Sequence, residues 1–197
     1  DELRFLGGRF SSAPIDLVYN GIPAHNTTLA EKSASKAKLQ RYAANLLGFD
    51  PDFVFTHFAR TIVSKAFWRD LRVLDHLDGM LAEAGETAVF FLLTSSSSGG
   101  RRREWVLDWE AQYGWPVTHR SDNGDLLDQE VPLYVDGVEP FNQRARNIRA
   151  VLVNQSVWRL EQCGQCMPAD MDYVDLRRGT DLEFGQSIYE PFGIAQV

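Results

Sequence analysis

No stretch of this chain reaches the roughly 20 consecutive apolar residues that a bilayer-spanning helix requires, so no membrane span is expected. The amino terminus, Asp1-Glu2-Leu3-Arg4, lacks the basic-then-apolar layout of a secretory signal, and a soluble cytoplasmic protein is the expectation. Positive charge is also scarce. Twenty Lys and Arg stand against 27 Asp and Glu, for a net charge of -7, which argues against general binding to nucleic acid or anionic membranes. Only two cysteines occur, Cys163 and Cys166 in Cys-Gly-Gln-Cys. A redox pair wants this spacing at a helix start after a strand, and structural zinc wants two further ligands. Neither context is evident, so the segment reads as a loop of reduced thiols. His25, His76 and His119 are scattered without ligand spacing, and His57 lies inside an apolar run as a core residue; no metal is expected. No repeat of fixed period appears.

What is present is enough apolar content, 44% of 197 residues, to bury a substantial core. Ile15 to Tyr19 reads as a short strand or linker before Asn20-Gly21. Thr28 caps a predicted amphipathic helix over 29–47, with Leu39, Tyr42, Ala43, Leu46 and Leu47 on one face and Gly48 as its stop. The cations Lys32, Lys36, Lys38 and Arg41 read as its solvated face. Phe53 to Phe58 and Thr87 to Thr94 are short runs rich in β-branched and aromatic residues, expected as strands buried on both faces. Between them, Phe67, Leu71, Leu74, Leu77 and Leu81 recur at helical spacing over 66–84. Strand, helix and strand with short joins make a βαβ unit.

Further on, Arg101-Arg102-Arg103 reads as a solvated loop and 104–113 as a helix carrying Trp105 and Trp109. Trp105, Trp109, Trp115 and Trp158 read as packing aromatics before a carbohydrate-stacking surface. Val131 to Val135 suggests a strand, 140–147 a short helix, and 148–154 another buried strand. Residues 155–179 look irregular, and 181–185 alternate toward a last strand. The expected fold is α/β: a Rossmann-like open parallel sheet flanked by helices, with residues 1–26 as linker and first strand, 27–197 as the domain, and 95–147 as an irregular insertion.

In such sheets ligands sit outside the carboxyl ends of the strands. Two loops fall there: Arg60-Thr61-Ile62-Val63-Ser64-Lys65, with two cations, and Glu190-Pro191-Phe192-Gly193-Ile194, with a carboxylate and backbone N–H groups at a nascent helix start. That set suits a phosphorylated polyol. At these residues, and at Asn20-Gly21-Ile22-Pro23 and Ser35-Lys36-Ala37-Lys38-Leu39-Gln40, the chain resembles the retaining nucleotide-sugar glycosyltransferases of the GT-B fold, the glycogen and starch synthases in particular.

The resemblance implies that Arg60 and Lys65 neutralise the donor diphosphate as it leaves. It implies that Glu190 binds hydroxyls of the donor sugar, with Phe192, Gly193 and Ile194 completing the contact and the last two giving N–H groups to the distal phosphate. The substrates implied are an ADP- or UDP-glucose type of donor and a glucan-like acceptor, with no metal or cofactor required. Ala66 stands where the family usually has Gly. The family's second glutamate would fall just beyond Val197, and its amino-terminal Rossmann domain would precede Asp1, so the expectation is a fragment, inactive alone. A reading from another class is a non-catalytic module recruited into an assembly through 95–147.

Overall fold

The structure is a computed structural model that describes residues 5, 7–14, 26–95, 101–113, 130–155 and 157–185. A short 3-10 turn (Gly8–Ser11) precedes α1 (Leu29–Leu47). That helix starts where its chemistry dictates: the Glu31 N–H donates to Thr28 Oγ1 at 3.2 Å while the Thr28 N–H donates back to the Glu31 carboxylate at 2.9 Å. Then come β1 (Phe53–Ala59), a 3-10 turn (Val63–Lys65), α2 (Phe67–Ala84), β2 (Ala88–Thr94) and α3 (Arg103–Tyr113). A helical turn (Val131–Leu133) and a π-helical segment (Tyr134–Val138) run into α4 (Glu139–Arg144), followed by β3 (Ile148–Asn154), α5 (Leu160–Cys163), α6 (Tyr173–Arg178) and β4 (Leu182–Glu183).

The four strands form one parallel sheet in the order β3-β2-β1-β4. Every residue of β2 is buried, as a central parallel strand covered on both faces requires. Phe55, Phe90, Leu92, Ala150 and Leu152 pack with α2, the π-helical segment and α4. Val54, Val89, Phe91, Leu93, Val151 and Val153 pack with α1, Val106 of α3, Cys163 and Leu176 of α6. The expected Rossmann-like α/β sheet flanked by helices is thus observed. Because β3 lies beyond β2 while β4 lies on the far side of β1, strand order reverses between β1 and β4.

Four expectations are corrected. Val131 to Val135 is helical, not a strand: Tyr134, Val138, Phe141 and Ala145 are all buried in one cluster at helical spacing, and that period overrides the strand-like composition. Residues 155–179 hold α5 and α6, the latter begun by a reciprocal Asp172–Asp175 capping box. Arg101 is not solvated; it is 3% exposed and ion-paired with Glu130. Of the α1 cations, Lys36 and Lys38 belong to a docking face, paired with Asp181 and Asp175, while Arg41 stays exposed and pairs with Asp170 at the surface. Ile15 to Tyr19 and Asn20 to Pro23 lie outside the described residues.

Candidate functional site

The carboxyl end of β1 delivers Arg60 to the sheet edge beside the strand-order reversal, where open α/β sheets gather ligands. Arg60 is exposed, and its side chain makes no hydrogen bond or ion pair with a described residue. The chain then tightens. The Lys65 N–H bonds the Ile62 carbonyl at 3.0 Å and the Ala66 N–H bonds the Val63 carbonyl at 3.0 Å, which closes the 3-10 turn on which Lys65 sits. Ala66 caps α2 in the left-handed region at φ 51, the only non-glycine residue with positive φ among those described. Both predicted cations therefore lie on the connection from β1 to α2, Arg60 directly after the strand and Lys65 in the 3-10 turn just ahead of the α2 amino terminus, whose unsatisfied N–H groups favour anions. Glu190, Phe192, Gly193 and Ile194 lie outside the described residues; the described chain leads toward them from β4, the strand beside β1.

Behind this turn lies a buried pair. His57 Nδ1 is 2.5 Å from Asp70 Oδ2, with Phe67 tilted against the imidazole at 4.7 Å between centroids. Burial pushes the Asp70 carboxyl above its ordinary pKa, and the contact with His57 opposes the rise. His57 is a core residue as expected, and its partner in the first turn of α2 is what satisfies it. On the other face of the sheet Glu183, in register with Thr56, meets Arg177 Nε at 3.0 Å. Burial raises the Glu183 carboxyl and Arg177 opposes it. No local pattern in the sequence marks either pair, since both join residues from separate elements.

No protein-family model matches this chain, and comparison with curated proteins finds no match.

At the ends of β2 and β3, Arg101 spans the gap. Its N–H donates to Gln155 Oε1 at 2.8 Å, its guanidinium donates to the Asn154 carbonyl at 3.2 Å and to Glu130, and Asn154 Nδ2 donates to Glu130 Oε1 at 2.8 Å. These are internal bonds that tie the β2–β3 crossover to the sheet. The cysteine segment is structural in the same sense. Gly164 at φ +92 lies so close to Glu110 that an added Cβ would stand 2.2 Å from its carboxylate, which accepts from the Gln165 N–H at 2.8 Å. Burial raises the Cys163 thiol to about 12, and burial with the Glu110 carboxylate raises Cys166 to about 11, so both stay protonated at neutral pH. Trp158 packs inward on Phe58 and Tyr173, whereas Trp105 is half exposed and Trp115 is not among the described residues. No described helix is long and apolar enough to cross a membrane.

Proposed function

We propose that this chain is the donor-binding part of a retaining GT-B glycosyltransferase that transfers glucose or a similar sugar from a nucleotide-sugar to a glucan-like acceptor. The observation that carries the reading is that Arg60 and Lys65 both lie on the short connection from the carboxyl end of β1 to the α2 amino terminus, beside the reversal of strand order. A diphosphate there meets two cations and a helix dipole, and its charge as a leaving group is stabilised without any requirement for a metal. The left-handed Ala66 supports the resemblance further: the backbone holds the conformation that glycine favours, at the position where the family has glycine.

In this reading Glu190 takes the sugar hydroxyls, Phe192, Gly193 and Ile194 complete the donor contact, and a second Rossmann-like domain of the same cytoplasmic protein holds the acceptor. Isothermal titration of the natural full-length protein with ADP, UDP, ADP-glucose and UDP-glucose tests it. One nucleotide and its glucose conjugate should bind, and Glu190→Ala should suppress turnover. Absence of heat with all four, together with unaltered turnover in Glu190→Ala, would overturn the proposal. Recruitment through 95–147 is not favoured, because Arg101, the first cation of the run that suggested it, is consumed by internal bonds.

A further inference from the structure

The connection from β1 to α2 that carries Arg60 and Lys65 has a second side. Thr61, Ile62, Val63 and Ala66, with Phe67, Trp68 and Leu71 of α2 and Pro132, Leu133, Asp136 and Gly137 of the helical stretch before α4, line a half-open pocket of about 300 Å³. That is at the lower end of the range for small-molecule sites, and about twice the cavity of about 150 Å³ that holds a benzene ring. Its walls are mainly apolar. Three local irregularities meet in them: the left-handed Ala66, the π-helical segment containing Asp136 and Gly137, and the approach of Gly137 to Leu71, where an added Cβ would stand 3.0 Å from Leu71 Cδ1. Single π turns within helices are frequent at functional sites.

Two residues of the lining carry polar side-chain atoms without a partner among the described residues, and only that of Asp136 is exposed. Thr61 Oγ1 is buried with no hydrogen-bond partner among the described residues, a state that native structures rarely leave unexplained. Asp136 is exposed and makes no hydrogen bond or ion pair with a described residue. Trp68, half exposed, is held by Arg69 and Arg72, whose guanidinium carbons lie 5.1 and 5.0 Å from its ring centroid.

We infer that this pocket is a binding site for a small molecule with an apolar, ring-sized body and a hydrogen-bond-donating head, an amine or an alcohol, that reaches the Asp136 carboxylate. The apolar walls take the body by surface burial, and Asp136 discriminates the head, since it accepts from a donor and repels a carboxylate. The inference does not depend on the donor reading, and its test uses no nucleotide.

Benzylamine, benzyl alcohol and benzoate share one ring and differ in the head. Saturation-transfer NMR on the full chain, with each probe titrated to about 10 mM, the range of a weak fragment-sized ligand, should show binding in the order amine, alcohol, benzoate. The first and last should differ by about fivefold or more, as a partly exposed ion pair allows. Asp136→Asn, an exposed substitution that leaves the fold intact, should bring benzylamine down to the alcohol's affinity. Benzoate binding as well as benzylamine, saturation transfer unaltered in Asp136→Asn, or no transfer with any probe would overturn the inference.

Discussion

Removing the Arg101 side chain would strand the Glu130 carboxylate, 0% exposed, without its cation. Breaking one partner of a buried ion pair costs about 3–5 kcal/mol, so Arg101→Ala should lower the urea midpoint severely, while Arg102→Ala should stay within about 0.5 kcal/mol. Three consecutive arginines look alike in a sequence; which of them is internal is decided by a glutamate 29 positions away and by the ends of two strands. Asp175 makes a pH prediction. Burial alone would raise its carboxyl, but Lys38, Ser35 and the Asp172 N–H together hold it below the ordinary value. Its stabilisation is therefore present above the unfolded pKa, near 3.8, and is lost as pH falls through the lower folded value. Glu183 has the opposite sign: its raised folded pKa gives a contribution present below the unfolded value and lost as pH rises through the folded one. Urea midpoints measured against pH should show Asp175→Asn flattening the acid loss and Glu183→Gln flattening the fall above it.

Elements differ in how far they announce themselves. The boundaries of α1 and α2 follow from Thr28, Gly48 and Gly85, whose roles are local, and three long strands follow from compact apolar runs. The segments 131–138 and 155–179 escape local reading because their burial depends on partners across the fold. Gly179 shows why. Its φ of -82 suits any residue, yet a Cβ there would stand 2.6 Å from the backbone carbon of Ser35 and 2.7 Å from Leu39 Cδ1, so it is the close approach of α6 to α1 that requires glycine. Backbone cannot yield as a side-chain tip can, and Gly179→Ala should cost about 1–3 kcal/mol by thermal unfolding. Gly79, in α2 with nothing within 4 Å of its virtual Cβ, is the control. Gly79→Ala should stabilise by about 0.5–1 kcal/mol through helix propensity alone.

For the molecule as a whole, the decisive fact is that β4 pairs with β1 and not with β3. Sequence order alone shows strands alternating with helices; the return across two strands is set by the docking of α6 on α1, through Ser35, Lys38 and Asp175, and by Asp181, which accepts from the Val54 N–H at 2.8 Å and from Lys36 at 3.0 Å. The strand order it sets puts Arg60 at a reversal, so the cations were readable as residues while that position was not. The separation of scaffold from binding residue gives a test. Arg60 is exposed and makes no bond to a described side chain, hence Arg60→Ala should leave stability within about 0.5 kcal/mol. If a diphosphate binds there, the same substitution removes a charge-assisted bond worth about 1.5–3 kcal/mol and should weaken nucleotide binding about 10- to 100-fold, with a shallower dependence on salt. Lys38→Ala should do the reverse, lowering the unfolding midpoint through the lost Asp175 contact while leaving nucleotide affinity unaltered. Equal effects of the two substitutions on affinity would mean that nucleotide binding responds only to the integrity of the scaffold and that Arg60 does not touch the ligand.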